Sequence, residues 1–531
     1  MLRCGRAAIP AVLALVCAEL LATTPPALAD PVFSPVESPA AAGHRYTGGW
    51  EHFVGGGISG FDCNGDGLPE LYAAGGTAPA RLLINRSTPG GALHFGHAGH
   101  DRLALEGVTG AYPLDIDSDG ITDLAILRVG EDLLMRGTGN CGFERFGPDI
   151  GFTSPDRWST AFSATWEAGA VLPAMAFGSY VDRKDAAGPF EACDVNLLYR
   201  PVNGRYDAPK ELRPGYCALS MLFSDWGRRG RADLRVSNDR HYYVRDGAEQ
   251  MWAMEREPRL YSAAEGWRQM SIWGMGIASR DITGDGVPEV FLTSMGDQKL
   301  QLLMPDANGP VFADVPFETG ITAHRPYTGP DGRPSTGWHA AFGDVDNDGL
   351  DDLFVAKGNV EIMPGNAIDD PNNLLVQQSD GSFVERGDVA GLASMVRGRG
   401  AVLMDLNRDG LLDLAVNNRN APLEIYRNET PGAFHWVSIR LHQAAPNTDA
   451  VGAWIEVRSG GRVQSREITV GGGHVGGILG PQHFGLGDET YAELRVQWPD
   501  ESYSPWQTIE AGQMLKVVRD GAGLRISSED R

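Results

Sequence analysis

The stretch Asp344 to Leu353, DVDNDGLDDL, constrains this chain more than any other, because alternating carboxylates in a tight turn aim their oxygens at one centre. Asp344, Asp346 and Asp348 alternate, Gly349 supplies the φ > 0 position that folds the chain back, and Asp352 returns just before the apolar run Leu353 to Ala356. With the Leu350 carbonyl these side chains describe an oxygen-only cage. A shell without His or Cys suits calcium better than zinc or copper. An EF-hand loop begins in the same way but needs Glu at its twelfth position, where Val355 stands, and here a strand-like run replaces the exiting helix.

The pattern occurs five times. Asp62, Asn64, Asp66 and Glu70 form one copy, Asp115, Asp117, Asp119 and Asp123 a second, and Asp281, Thr283, Asp285 and Glu289 a third. Asp405, Asn407, Asp409 and Asp413 complete the set, and the carbonyls of Leu68, Ile121, Val287 and Leu411 take the place of Leu350. One such loop is an ordinary solvated turn; five, each leading into an apolar strand, indicate Ca²⁺ sites.

Aligned on these loops, the chain divides into units of about 50 to 65 residues. The clearest one has a small-residue strand at Gly337 to Asp344, the acidic turn, a second strand from Asp352, then Asn372 to Val376 and Ser382 to Arg386. Four strands per unit is the composition of a propeller blade. Two further units lack the acidic pattern. In one, Ala176 to Gly178 copies Ala341 to Gly343 and puts Ser179 in the first ligand position; in the other, DWGRRGRADL keeps only Asp225 and Asp233. There a guanidinium from Arg228, Arg229 or Arg231 is expected to bridge the two acids in place of an ion, leaving the other arginines as a docking point for an anionic polymer. The seventh unit ends after Pro422 to Arg427, and Pro31 to Val36 is expected to supply its fourth strand and close the ring.

The expectation is an all-β, seven-bladed β-propeller over residues 30–432. A small β-sandwich or barrel-like domain follows at 433–520, then a tail at 521–531. Alternating strands are expected in the second domain at Trp436 to Leu441, Trp454 to Val457, Arg466 to Val470 and Glu493 to Trp498. Residues 1–29 read as a cleavable signal peptide: Arg3 and Arg6, an apolar run from Ala11 to Ala22, and Ala27-Leu28-Ala29 before Asp30. The mature chain from about Asp30 is expected to be secreted or periplasmic, with no membrane span. The net charge of −24 disfavours nucleic acid and anionic membranes. Of the four cysteines after residue 30, Cys193 and Cys217, near in sequence, are the expected disulfide, and the pairing of Cys63 with Cys141 stays open.

The loops and four-strand units resemble the FG-GAP/VCBS repeats of integrin-α-like propellers. The last part resembles the ASPIC/UnbV module of cartilage-acidic-protein-like proteins, through Asn447 to Gly452, His483 to Gly487 and Val496 to Asp500, with Glu501 where that module has Gly. The resemblance implies calcium binding outside the cytoplasm more than it implies a reaction. His94, His97 and His100 read as a polar outer strand and turn rather than a zinc site, and the glycines around His474 as turns. The function expected is therefore a scaffold or adhesion-type protein with an extracellular or periplasmic protein or polysaccharide ligand. The alternative is a lyase, a hydrolase or an accessory protein of secondary-metabolite biosynthesis, because a propeller fold does not decide chemistry.

Overall fold

A computed structural model describes residues 30–99, 102–239, 245–305, 307–321, 332–432 and 434–529. The signal peptide expected over 1–29 lies outside them. The described chain is all-β, and its one α-helix is the short Pro39–Ala42.

Strand pairing groups residues 33–428 into seven four-stranded antiparallel units. We number them I to VII by their first strands: Ile58–Phe61, Val108–Leu114, Arg157–Thr165, Ala218–Ser224, Gly274–Arg280, Gly337–Gly343 and Arg397–Met404. These strands are almost wholly buried, since each has neighbours on both faces. Their small residues let them approach closely, and each first strand touches the next, with unit VII returning to unit I. Hydroxyls stitch part of this inner ring: Ser59 Oγ donates to the Ala111 carbonyl, Thr109 to Ser159 and Thr160 to Ala218. Unit VII takes its fourth strand from the N-terminus, Phe33–Pro35 pairing antiparallel with Glu424–Asn428.

Unit III differs from its sequence reading. Ala174–Ser179 is the second strand, pairing with Arg157–Thr165 on one side and Asn196–Tyr199 on the other, so Ser179 does not occupy a ligand position. The true counterpart of the acidic loop is residues 166–173, WEAGAVLP, which contains no Asp to anchor an alignment. All seven units join their first two strands through eight residues, whether or not the acids remain.

The C-terminal module packs two four-stranded sheets around one core that includes Val437, Ile439, Ile455, Val457, Phe484, Leu494, Val496 and Leu515. Residues 521–531 were expected to be a tail. Instead Gly523–Ser528 is an edge strand on Gln513–Asp520, its alternation GLRISS too short to stand out. The strand expected at Arg466 to Val470 stops at Glu467. From there the chain enters the ring: Val470, Gly471, Gly473 and Gly476 bridge Ala164, Leu222, Ile277 and Ala111, and Ile478–Leu479 pairs parallel with Gly60–Phe61. The glycine-rich run is thus an axial plug rather than a set of turns. Glycine is required on the ring side of this contact, because a Cβ on Gly57 or Gly110 would meet the Val475 carbonyl at 1.7 Å.

Candidate metal centres

The loops between first and second strands share a backbone design. At position one an Asp accepts two N–H groups from its own loop: Asp344 Oδ1 from Asp348 (3.1 Å) and Oδ2 from Gly349 (2.8 Å). Asp115 repeats this with Asp119 and Gly120, and Asp405 with Asp409 and Gly410. Asp62 and Asp281 bond Gly65 with Gly67 and Gly284 with Gly286. The sixth residue carries φ near +80° to +90° in each, as at Gly349 (+86°) and Gly67 (+79°).

The acid at position nine does more than close the ring. Asp352 Oδ2 accepts from Val345 N (3.0 Å) and Oδ1 from Gln377 N (2.9 Å), clamping the loop to the third strand. Asp123 and Asp413 make the same pair of bonds. Glu70 and Glu289 hold the loop side, through Cys63 N and Ile282 N.

Two loops gather three carboxylates tightly. Ligand oxygens of Asp344, Asp346 and Asp348 lie within 4.8 Å of one another, as do those of Asp115, Asp117 and Asp123. Asp344 and Asp352 are 1% exposed, and burial, reinforced by neighbouring carboxylates, pushes both carboxyls well above their usual range and Asp348 to about 7. Burial likewise raises Asp123 to about 8 and Asp405 to about 7. Asp117 Oδ1 is buried without a partner. Crowded, oxygen-only and short of positive charge, this donor set fits a hard dication; Asp344, Asp346, Asp348 and Asp352 would hold it in unit VI. In unit II Arg136 reaches Asp117 at 2.5 Å, a cation already in place.

In the other three loops a neutral side chain at position three donates within the cluster. Asn64 Nδ2 bonds Asp66 (2.9 Å), Asn407 Nδ2 bonds Asp409 (2.9 Å), and Thr283 Oγ1 bonds Glu289 (3.3 Å). Asp285 Oδ1 accepts Val287 N, and Leu411 N bonds Asp409.

Unit IV corrects the arginine reading. Asp225 keeps its two N–H bonds, from Arg229 and Gly230, but no guanidinium spans Asp225 and Asp233. Arg231 reaches Asp233 (3.0 Å) and the Tyr261 hydroxyl but not Asp225, and Trp226 Nε1 and the Tyr261 hydroxyl donate to Asp233 as well. Arg228 pairs with Glu456 of the module (2.5 Å) and covers the Trp454 ring, while Arg229 bonds the Ala307 and Asn308 carbonyls. The exposed anion-docking patch is absent because all three arginines are committed within the chain.

The acidic loops face the module, a relation the sequence did not reveal. Thr448 Oγ1 donates to Asp115, Gly485 packs against Asp344 Oδ2, Arg466 pairs with Asp351 (3.1 Å), and His483 Nε2 meets Asn347 Oδ1 (2.6 Å). Arg462 donates to the Gly349 carbonyl, and Arg408 to that of Glu529. At the plug, His474 Nε2 accepts Gly55 N, its Nδ1 faces the Met275 carbonyl, and its own N–H bonds His339. Burial holds His474 and His483 down to about 3 and His339 to about 4. Cys193 bonds Cys217, and Cys63 bonds Cys141. His94 and His97 are exposed; His100 lies outside the described residues.

Residues 344–416 match a family model described as FG-GAP-like repeat, and residues 443–523 one described as ASPIC and UnbV. Cartilage acidic protein 1 of Homo sapiens is 25% identical over 260 residues, covering 46% of this chain and 36% of that protein. The Mus musculus protein is 27% identical over 164 residues, covering 29% and 22%. The matched region thus spans about a third or less of these relatives. Among solved structures, the extracellular domain of a putative hybrid two-component system from B. thetaiotaomicron is 7% identical with a TM-score of 0.40, covering 92% of this chain and 58% of that one. No helix among the described residues is long and apolar enough to cross a membrane.

Proposed function

We propose that the seven units are blades of one exported propeller, that Ca²⁺ fills its acidic loops, and that the filled loops fasten the C-terminal module and its axial plug. The assembled chain serves as an extracytoplasmic scaffold for a protein or polysaccharide ligand. One observation carries this reading: the module contacts the first-position aspartates and the backbones of the loops whose charges demand a cation. A dication neutralises carboxylates that otherwise repel one another beneath a buried interface, so filling the loops and docking the module favour each other.

The test is metal analysis of the purified chain together with melting and limited proteolysis, before and after exhaustive chelation. Bound calcium near five per chain, a lowered Tm and a module that becomes protease-sensitive on chelation are expected. A chain that binds no calcium, or melts identically without it, refutes the proposal.

A further inference from the structure

The two units without acidic cages are neighbours, and their loops do not merely mark lost sites. Residues 166–170 of the unit III loop and 230–232 of the unit IV loop, with Pro446 and Pro499 of the module, line an open cleft of about 680 Å³. That volume lies within the range of small-molecule sites. Its functional walls are Trp166, Glu167, Arg200, Arg231, Glu255 and Asp500.

Charge on these walls is balanced, and all of it except the exposed Arg256 is already paired. Arg200 bonds Glu167 (2.7 Å), Arg231 bonds Asp233 (3.0 Å), Glu255 bonds Arg259 (3.0 Å) and Asp500 bonds Arg519 (2.6 Å). Away from Arg256, which stands at the exposed rim, a charged ligand would have to break one of these pairs to make its own. Hydroxyl groups would not, because a paired carboxylate keeps free lone pairs and a paired guanidinium keeps free N–H groups. Trp166, half-buried on the core of units II and III, adds an aromatic surface, and its indole N–H is itself buried and has no acceptor. An apolar ring beside fixed, mutually neutralised donors and acceptors matches a ligand that is polyhydroxylated, uncharged and apolar on the faces of its rings.

We infer that this cleft binds a neutral oligosaccharide, gripped by Trp166 and the Arg200–Glu167 pair. The reading is independent of the cation loops, whose residues it does not use.

The test is calorimetric titration of the full chain, calcium present, with short gluco-, xylo-, manno- and galacto-oligosaccharides, and with heparin and polygalacturonate. At least one neutral oligomer binds, with an affinity insensitive to salt. Trp166→Ala weakens it about tenfold or more, equivalent to about 1.4 kcal/mol. Trp166→Phe, which keeps a ring in the packing and removes the N–H, weakens it less, and Arg200→Gln weakens it with the melting temperature of the ring retained. The inference is overturned if no neutral oligomer binds at millimolar concentration, if only the two polyanions bind and salt abolishes it, or if binding survives Trp166→Ala unchanged.

Discussion

The eight-residue loops of unit VI (344–351) and unit IV (225–232) have the same skeleton and opposite interiors. In both, the first Asp accepts two N–H groups of its own loop, the sixth residue is a glycine at positive φ, and the ninth residue is an Asp bonded to the third strand, through Gln377 N or Met254 N. At positions three and five unit VI places Asp346 and Asp348, whereas unit IV has Gly227 and the outward Arg229, with Arg231 and Trp226 satisfying Asp233. The skeleton therefore closes without an ion. On the proposed reading, a cation in unit VI would relieve repulsion between buried carboxylates.

Chelation offers the largest test of this contrast. At about ten times Kd each filled site adds on the order of 1.4 kcal/mol, so five sites together account for several kcal/mol. Hydrogen exchange after chelation should rise in units I, II, V, VI and VII while units III and IV keep their protection. A uniform rise around the ring would break the comparison.

Acidity gives a second, smaller effect with a defined sign. Burial raises Asp348 and Asp405 to about 7 and Asp123, Glu70 and Glu289 to about 8, so the folded, cation-free protein binds more protons than the unfolded chain from about pH 4 to 8. Its stability should fall as pH rises through that window, and saturating calcium should flatten the slope. Histidines act in the opposite sense. His339, His474 and His483 stay neutral down to about 4 or 3, so the unfolded chain binds more protons below about 6.5, and the stability of plug and interface declines on acidification. Melting curves across pH, with and without calcium, separate the two slopes; a cation-free protein that gains stability steadily from pH 4 to 8 contradicts the carboxylate half.

Single substitutions sharpen the contrast. Asp346→Asn should stabilise the chelated protein by about 1 kcal/mol through lost repulsion, and should lower the increment that calcium adds. Loss of stability in both states would show that Asp346 is structural rather than electrostatic. Arg231→Ala should cost about 1 kcal/mol or less, since that side chain is 45% exposed, and the loss should be equal with and without calcium. A calcium-dependent loss would mean that unit IV also holds an ion.

The acidic spacing made five loops, their strands and the N-terminal closure legible, because Asp-x-Asp-x-Asp-Gly followed by an apolar run is both a chemical and a geometric signal. Unit III was misaligned by one strand, since WEAGAVLP retains only the length of such a loop and length has no visible mark in one sequence. The destination of Gly471 to Gly477 was hidden for a related reason. A glycine that makes a turn and one that lets a carbonyl press against a neighbouring strand are identical in sequence, and only the ring shows that Val475 lies against Gly57 and Gly110. The role of the arginines depended on Glu456, more than two hundred residues away and in another module.

The axial plug also sets an order of events. Unit VII borrows its outer strand from Phe33–Pro35, which precedes every other described strand, and the plug comes from residues that follow all seven units in the chain. During synthesis the inner strands exist for some time around an unfilled centre, with the backbones of Gly57 and Gly110 waiting for a carbonyl that has not yet arrived. The ring thus behaves like an arch before its keystone is set. A segment made after all seven units decides whether they hold, so errors in the plug are felt in units I and II, hundreds of residues earlier in the chain.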